Sequence, residues 1–356
     1  MERTDGDQPA EATPLRVAIV GCGWAGARHA SGFRAAGAEL RWAVDTNLSR
    51  ASAVLGPADL GRATADYRRA LDDPSVDAVD ICLPHALHAA VAVAAAESGK
   101  HVLCEKPIAA TLDEADRMIV AAERAGVTLM VAENVRFDPL YAAVRELLDR
   151  GLIGEPALAQ VTREADLADS FRRDRPWFLD RRAAAGGIMM SGGVHDFELL
   201  RMLIGEVTSV QALRARQRLA EMGGDDTSVA LARFANGAAG VLVESFVMKS
   251  LPTAASPEVH TLRVDGDLGS LTVDADRLLT VFGERAHVLG TPHLGQHQLR
   301  VPAVDTFAAE IAHFVDCVRT GAEPLTSGRS QRRPLELVLA AYRAMETGTV
   351  VDVSGG

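Results

Sequence analysis

Apolar and polar positions in the first third of the chain predict alternating strands and helices. Residues 17–20, 40–44 and 79–83 form runs that are apolar apart from Arg41 and Asp80 and that contain β-branched side chains. Ala-rich stretches with helical spacing separate these runs, and residues 88–98 are one example. Strands that are apolar on both faces are typical of a parallel sheet covered by helices on both sides. The pattern therefore predicts a doubly wound α/β domain over residues 15–135.

After this domain the pattern changes to shorter strands joined by turn signals. Residues 229–234 and 239–247 flank Asn236-Gly237, a dipeptide typical of a β-hairpin turn. A second pair of short strands flanks a glycine-containing turn at 265–269. Hairpins of this kind are typical of an antiparallel sheet. We therefore expect residues 136–356 to form a second α/β domain with a large, mostly antiparallel open sheet.

The two ends of the chain give further expectations. Helices are predicted over residues 305–320 and 334–347, and Pro334 would open the second one, since proline is tolerated in a first helical turn. We expect this whole segment, 305–347, to pack back toward the first domain. Residues 1–14 are polar and acidic and lack the basic and apolar regions of a signal peptide, so a disordered tail is expected.

Composition excludes several classes of partner. A chain of 356 residues is too long for one ordinary core, which agrees with two domains. The formal net charge of −11 argues against nucleic acid and against an anionic membrane surface, because both need a basic face. Four cysteines without ligand spacing indicate neither a metal site nor a disulfide framework. We expect a cytoplasmic protein, since buried free thiols are typical of a reducing compartment.

A glycine-rich turn at the end of the first strand is the strongest chemical signal. Its first glycine permits a tight turn, its second lets the backbone approach a pyrophosphate, and its third lets helix pack on strand. The following helix offers free N–H groups to phosphate oxygens. This Gly-x-Gly-x-x-Gly turn consists of Gly21, Cys22, Gly23, Trp24, Ala25 and Gly26. It predicts a Rossmann domain that binds a nicotinamide dinucleotide, the alternative being a Rossmann domain that has lost its ligand.

Asp45 ends the second strand, about twenty residues after the glycine turn. A carboxylate at this position accepts hydrogen bonds from the ribose hydroxyls of NAD and repels the 2′-phosphate of NADP. Thr46 and Arg50 follow closely and offer donors that suit a phosphate. NAD is therefore the expected cofactor, with NADP left open.

Parallel sheets bind ligands outside the carboxyl ends of their strands. The residues at these ends are Gly21, Asp45, Leu83, Glu105 and Asn134. Leu83 and Glu105 are therefore assigned to the cofactor site. Arg136 is expected near the same cleft, either on substrate or in a structural ion pair. Trp177 is a candidate platform for a sugar ring or, alternatively, a residue of the domain interface.

Two further segments carry candidate chemistry. Lys106 follows Glu105 and precedes Pro107, and its ammonium suits a developing alkoxide, although a surface lysine paired with Glu105 is the plainer interpretation. His195 lies in a glycine-rich segment at the start of a predicted helix, where an imidazole can take the proton of an alcohol or serve only as a core residue. Ser191 precedes it by one helical turn, so the two side chains are expected to share a face.

These motifs resemble the glucose–fructose oxidoreductase/inositol dehydrogenase family, Gfo/Idh/MocA, over nearly the whole chain. The Glu-Lys-Pro run after Gly99-Lys100-His101-Val102 is the most specific of them. The other motifs are the 17–26 fingerprint, Pro84-His85-Ala86-Leu87-His88, Asn134-Val135-Arg136-Phe137 and the glycine-rich segment 186–195.

The resemblance implies a catalytic pair, a cofactor and an assembly. It assigns Lys106 and His195 to catalysis and places His88 in the cofactor site. It also implies NAD or NADP and a sugar, cyclitol or related polyol as substrate. The open sheet of the second domain often joins such chains into homodimers or homotetramers. The implied activity is hydride transfer between nicotinamide and a secondary alcohol or ketone.

The chain departs from the family pattern beside the catalytic histidine. Ser191 stands where an Asp is typical, Glu198 stands where a second Asp often follows, and His85 replaces an Asn. Ser191 cannot supply a negative charge to a protonated His195. Either Ser191 contacts substrate directly, or Asp196 or Glu198 supplies the charge, or the site does something other than simple dehydrogenation. The alternative functions are redox-neutral catalysis with recycled bound NAD, such as glycoside cleavage through transient oxidation, and non-catalytic sensing of a sugar or dinucleotide.

Overall fold

A computed structural model describes residues 13–57, 59–249, 258–289 and 295–353. It contains a six-stranded parallel sheet and a nine-stranded mixed sheet, so the predicted fold class is confirmed. Most of the tail predicted over residues 1–14 lies outside the described residues. Within the described part of the chain, no helix has both the length and the apolar character that a membrane span needs.

The first sheet consists of β1 (Arg16–Val20), β2 (Glu39–Val44), β3 (Arg62–Thr64), β4 (Ala78–Ile81), β5 (His101–Glu105) and β6 (Leu129–Ala132). The strand order is β3-β2-β1-β4-β5-β6, and every neighbouring pair is parallel. The order reverses between β1 and β4, and the crevice at such a switch point is where doubly wound sheets bind ligands. The pattern of apolar positions did not predict β3, because a three-residue strand is too short to show a period.

Helices cover both faces of this sheet. They are α1 (Trp24–Ala35), α2 (Leu48–Val54), α3 (Arg68–Leu71), α4 (His88–Glu97) and α5 (Leu112–Ala125). Val17 and Ile19 of β1 pack in one buried cluster with Phe33 of α1, whereas Ala18 and Val20 belong to the cluster on the opposite face. Successive strand residues point to opposite faces, which explains why adjacent positions of β1 are both apolar.

The second sheet consists of β7 (Pro156–Ala165), β8 (Val207–Arg214), β9 (Thr227–Phe234), β10 (Ala239–Ser245), β11 (Glu258–Gly266), β12 (Gly269–Val273), β13 (Leu278–Gly283), β14 (Gly295–Arg300) and β15 (Val351–Asp352). Its order is β14-β13-β12-β11-β7-β10-β9-β8-β15. The predicted hairpins join β9 to β10 and β11 to β12. Among these strands only β7 and β10 pair in parallel, so the expectation of a mostly antiparallel sheet is confirmed.

Seven helices accompany the second half of the described chain: α6 (Pro139–Asp149), α7 (Ala168–Arg173), α8 (Arg181–Ala184), α9 (Ile188–Ser191), α10 (Gly193–Ile204), α11 (Thr306–Thr320) and α12 (Gly328–Thr347). Helix α11 lies against α1 of the first sheet. A Cβ atom on Gly32 would approach the Cδ1 atom of Ile311 to 2.5 Å, so the glycine permits this close contact.

The predicted start of the last helix is wrong. Helix α12 begins at Gly328, and the Ser327 side chain caps it by accepting a hydrogen bond from the Ser330 backbone N–H at 3.4 Å. Pro334 therefore lies inside the helix instead of opening it. A proline in this position removes the hydrogen bond to a single carbonyl, that of Ser330, and buried packing of the following turns outweighs this loss.

Candidate functional site

The glycine turn leaves an open space at the N-terminus of α1. Gly21 has a φ of +100°, and a Cβ there would lie 2.2 Å from the carbonyl oxygen of Cys82. A Cβ on Gly26 would lie 2.0 Å from the Gly21 carbonyl oxygen, so this glycine permits helix and turn to touch. Around Gly23 no described atom lies within 4 Å of such a Cβ. The turn therefore fits a dinucleotide, because the backbone is open where a pyrophosphate binds and helix N–H groups face it.

The Asp45 carboxylate is fixed at the rim of this turn. Its Oδ2 atom accepts a hydrogen bond from the backbone N–H of Cys22 at 2.9 Å, and its Oδ1 atom accepts one from Asn47 at 2.7 Å. Thr46, between them, is exposed. The carboxylate is thus held by two backbone donors beside the glycine turn.

A groove continues from the turn toward the second sheet. It encloses a cavity of about 300 Å³ between the glycine turn and the Arg173–Phe178 segment. Half of the predicted cofactor residues line it, together with Trp177. The cavity is lined by Gly23, Trp24, Ala25, Arg50, Cys82, Leu83, His85, Glu105, Lys106, Arg173, Asp174, Arg175, Pro176, Trp177 and Phe178.

His88 lies behind the groove. It is fully buried, and its Nδ1 atom is 2.9 Å from the Pro107 carbonyl oxygen while its Nε2 atom is 2.8 Å from the Leu83 carbonyl oxygen. Burial lowers the pKa of His88. In this position His88 joins the loop after β4 to the loop after β5, and so holds the groove in shape without lining it.

Lys106 projects from the end of β5 into the middle of the cleft. Its Nζ atom donates a hydrogen bond to the Ser191 carbonyl oxygen at 2.8 Å, and its backbone N–H donates to Glu105 Oε2 at 3.0 Å. Burial lowers the pKa of Lys106, and the negative charges of Glu105 and Glu133 oppose this effect. An ammonium in such surroundings is a strong hydrogen-bond donor to a developing negative charge.

Glu105 is supported from beneath by a buried histidine. His29 Nε2 lies 3.5 Å from Glu105 Oε1, and His29 Nδ1 lies 2.9 Å from Asp80 Oδ1. Burial alone would raise the pKa of Glu105, but His29 and Lys106 lower it overall. The carboxylate next to Lys106 therefore stays ionised.

His195, near the start of α10, forms a short hydrogen bond with Glu133. The distance from His195 Nδ1 to Glu133 Oε1 is 2.6 Å. Glu133 is fully buried, and the His195 side chain is 15% exposed. Burial raises the pKa of Glu133 to about 7, and Lys106 opposes this shift. Burial also lowers the pKa of His195 well below its ordinary value, and the charges of Lys106 and Arg163 lower it further.

The carboxylate that contacts His195 is Glu133, and neither Asp196 nor Glu198, the two that the sequence suggested, takes this position. Asp196 forms ion pairs with Arg163 at 2.8 Å and with His260 at 3.0 Å. Glu198 lies 2.7 Å from Arg201. Asp196 is the next residue along the helix and points about 100° away from His195. The missed signal was the position of Glu133 directly after β6, beside Asn134 at the same sheet edge.

Ser191 meets Lys106 through its backbone. The Ser191 carbonyl oxygen, at the end of α9, accepts the Lys106 hydrogen bond, and the residue itself is buried. This bond brings Lys106 to within one helical turn of His195. The two residues that the resemblance pairs therefore face one cleft.

A second, more polar recess of about 150 Å³ adjoins His195. Tyr141 Oη lies 2.7 Å from His260 Nδ1, and Arg163 pairs with Asp196 and Glu258. The sequence did not predict Tyr141, Arg163, Glu258 or His260 as site residues, since they come from α6, β7 and β11 and meet only through the strand register. The recess is lined by Asn134, Val135, Asp138, Tyr141, Arg163, His195, His260, Arg277 and Thr306.

Arg136 and Trp177 each contact neighbouring side chains. Arg136 is 3.4 Å from Glu198, so its guanidinium is in an ion pair. The ring of Trp177 stacks on Phe178 with centroids 3.9 Å apart and meets the edge of His85 at 5.0 Å. Trp177 therefore belongs to the groove beside the glycine turn rather than to the recess beside His195.

Family models match most of the chain. A model described as an oxidoreductase family with an NAD-binding Rossmann fold matches residues 15–133, and one described as the GFO/IDH/MocA C-terminal domain matches residues 141–272. Other similar proteins include dehydrogenases or reductases of inositols and of 1,5-anhydro-D-fructose.

Full-length relatives agree with this match. The chain is 31% identical to the uncharacterized oxidoreductase YrbE of Bacillus subtilis, over 94% of this chain and 95% of YrbE. It is also 31% identical to D-apiose dehydrogenase of Paraburkholderia graminis, over 99% of this chain and 95% of that enzyme. An oxidoreductase from Agrobacterium radiobacter, solved with NAD⁺, L-tartaric acid and magnesium, superimposes with a TM-score of 0.82 at 25% identity, covering 96% of this chain and 98% of that one.

Proposed function

The chain belongs to the Gfo/Idh/MocA family of oxidoreductases, and from that premise we propose that it interconverts a secondary alcohol and a ketone on a sugar, cyclitol or related polyol. Lys106 and His195 are the catalytic residues in this proposal. The observation that carries it is the hydrogen bond from Lys106 Nζ to the Ser191 carbonyl, which brings the ammonium to the same cleft as the imidazole of His195. NAD supplies the hydride acceptor or donor when it is bound.

NAD is proposed over NADP because of the way in which Asp45 is held. Two backbone N–H groups, those of Cys22 and Asn47, fix its carboxylate at the rim of the glycine turn. A fixed carboxylate accepts from ribose hydroxyls and repels a 2′-phosphate. For Thr46 and Arg50 to bind that phosphate, Asp45 would have to give up both hydrogen bonds.

In this proposal Lys106 and His195 have different roles at the substrate oxygen. In the oxidative direction His195 takes the hydroxyl proton through Nε2, because Nδ1 is engaged with Glu133. Lys106 stabilises the negative charge that develops on the oxygen. Burial lowers the pKa of both groups, which keeps the imidazole neutral and ready to accept a proton at neutral pH.

The recess beside His195 suits an uncharged, hydroxyl-rich substrate. Its cations are matched by neighbouring carboxylates, since Arg163 pairs with Asp196 and Glu258 while Arg277 forms two hydrogen bonds with Asp138. Such paired groups offer hydrogen bonds and leave neither Arg163 nor Arg277 as an unpaired cation that would favour an anionic substrate. We propose this recess, and not Arg136, as the main contact surface for polyol hydroxyls.

Assembly and location are part of the same proposal. The outer face of the second sheet carries a patch of apolar side chains: Leu213, Val229, Leu231, Val241 and Val243. Leu213 and Leu231 are 65% and 48% exposed, and such a patch favours a partner surface. We propose a homodimer or homotetramer through this face, in the cytoplasm. Size-exclusion chromatography with light scattering tests it, and a monomer contradicts it.

The direct test is formation of NADH and NADPH by the purified protein with a panel of inositols, sugars, polyols and glycosides. The expected result is NADH formation with one class of polyol and much less NADPH. A silent panel, with NAD found in the denatured protein by mass spectrometry, would contradict net dehydrogenation and favour redox-neutral catalysis.

A further inference from the structure

Glu133 and His195 form a hydrogen-bonded pair beside the polar recess. Glu133 Oε1 lies 2.6 Å from His195 Nδ1 and also accepts a hydrogen bond from the Val135 backbone at 3.3 Å. Glu133 Oε2 is buried and has no hydrogen-bond partner within the described residues. A buried carboxylate with an unpartnered oxygen is costly as an anion, so this group has a strong reason to bind a proton.

We propose that Glu133 is the proton store of the site: it orients His195 through Nδ1 and takes up the Nδ1 proton when Nε2 of His195 receives one from the substrate hydroxyl. The inference rests on the proposed function and deepens it. Glu133 acts through the imidazole and touches neither substrate nor cofactor in this scheme, so it is a positioning residue. Glu133 supplies to His195 the negative charge that Ser191 lacks.

The proton moves in two linked transfers. The substrate O–H bond breaks and its proton bonds to Nε2, while the proton on Nδ1 moves to Glu133 Oε1. The carbinol hydride leaves for the oxidised nicotinamide, so the substrate loses one proton and one hydride. The pair then consists of a neutral imidazole protonated at Nε2 and a neutral carboxylic acid. Burial disfavours the alternative, a separated imidazolium and carboxylate.

The charged groups around the pair have opposing effects on the pKa of Glu133. Lys106 and Arg163 favour the ionised carboxylate, whereas nearby acidic side chains favour the protonated one. Charged side chains on α10 and β7 also shift the pKa of His195. The charged or titratable groups that face the pair are Lys106 and Glu105 after β5, Arg163 on β7, Asp196 and Glu198 on α10, Glu258 and His260 on β11, and Glu310 on α11.

This scheme makes the tautomer of His195 depend on pH. Above the pKa of Glu133, about 7, the carboxylate accepts from Nδ1–H and leaves Nε2 free to take a proton. Below it, Glu133 is protonated and donates to Nδ1, so the imidazole proton resides on Nε2. Oxidation of an alcohol therefore needs the high-pH state, and reduction of a ketone needs the low-pH state.

The first experiment reads the tautomer directly and needs no substrate. ¹⁵N-histidine spectra of the protein are recorded between about pH 5 and pH 9, and His195 is assigned by its loss in His195→Gln. The expected result is a switch from Nε2–H below about pH 7 to Nδ1–H above it, and Glu133→Gln should abolish this switch. An imidazole that keeps one tautomer overturns the proposal, as does an imidazolium formed with Glu133 still ionised.

The second experiment uses Glu198→Gln as the matched control, because burial also raises the pKa of Glu198 to about 7 but its partners are arginines. Glu133→Gln is expected to lower kcat for oxidation about 100-fold, to keep KM, and to lose the rise of kcat through pH 7. Glu198→Gln is expected to keep that rise. A Glu133→Gln enzyme with the wild-type pH profile overturns the proposal, and so does loss of the rise in Glu198→Gln.

Failure of the two proposals can be told apart. If the wild-type protein oxidises no polyol, the proposed function fails, whereas the ¹⁵N titration still decides whether Glu133 and His195 share a proton. If the protein oxidises a polyol and the tautomer does not switch, the dehydrogenase stands and the proton store is wrong.

Discussion

The two ends of the cleft are constructed in different ways. The cofactor end is formed by backbone from one short segment, Gly21 to Gly26, with Asp45 fixed beside it. The end that we propose for substrate is formed by side chains that converge from both sheets, such as Glu133, Arg163 and His260. One end depends on local backbone geometry, and the other depends on how distant elements pack.

This difference explains how each end tolerates change. Backbone amides and a tight turn recognise a pyrophosphate whatever the rest of the molecule does, so this end can serve many substrates. At the substrate end each group holds another, as Tyr141 holds His260 and Asp196 holds Arg163. A substitution there is expected to shift rate or KM without changing cofactor affinity, and the following predictions test that separation.

The largest effect is expected at the point where the two ends meet. Lys106→Met removes the ammonium that faces the reacting oxygen, and kcat should fall about 1000-fold while NAD affinity stays within a few fold. The matched control is Lys100→Met at the opposite end of β5, where the Nζ atom donates to the carbonyls of Asp73 and Val76. That variant should lose thermal stability and keep kcat. Turnover by Lys106→Met within tenfold of wild type would contradict the assignment.

A smaller effect, confined to the cofactor end, is expected from alanine in the glycine turn. Gly23→Ala adds a methyl group to open space, so the protein should keep its melting temperature while NAD binds about 30-fold more weakly. Gly26→Ala places a Cβ 2.0 Å from the Gly21 carbonyl oxygen and should lower the melting temperature as well. Calorimetric NAD titration and thermal unfolding separate the two. Equal unfolding temperatures for both variants would contradict this account of the turn.

Much of the fold follows from the sequence because its signals are local. Strands β1, β2 and β4 appear as largely apolar runs, and Thr111 and Gly126, residue types that are typical of helix ends, cap α5. The start of α12 was misplaced because Pro334 is a stronger local signal than the buried packing that overrides it.

The site residues also differ in whether a local signal in the sequence predicts them. The residues of the glycine turn, Asp45, Lys106 and His195 each stand in a recognisable motif. The sequence did not predict Glu133, because the carboxylates proposed to act on His195, Asp196 and Glu198, are its neighbours along the chain. The partner comes instead from the far side of the cleft, at the end of β6. Arg163 and His260 become neighbours only through the register of β7 and β11, which no single sequence fixes.

Cofactor choice should change about tenfold with one substitution at the rim. Asp45→Ser removes the charge that repels a 2′-phosphate and keeps a hydroxyl that accepts a hydrogen bond, so the ratio of kcat/KM with NAD to that with NADP should fall about 10-fold. Thr46→Ala is the control, since Thr46 is exposed and the carboxylate remains. An unchanged ratio in Asp45→Ser would mean that groups other than Asp45 set the preference.

The smallest effect is expected at the substrate end, from Tyr141→Phe. The hydroxyl of Tyr141 lies 2.7 Å from His260 Nδ1, and its loss removes one hydrogen bond, worth about 1 kcal/mol. His260 keeps its contact with Asp196 at 3.0 Å, so the imidazole stays in place and only its orientation loosens. KM for the polyol should rise about threefold, with kcat and NAD affinity unchanged, as steady-state kinetics and calorimetry can measure.

Because Arg163 lies 3.2 Å from His260 and also acts on the Glu133–His195 pair, a fall in kcat with a shifted pH profile would show that the recess and the proton pair are one network. In that case substrate recognition and proton transfer could not be changed separately.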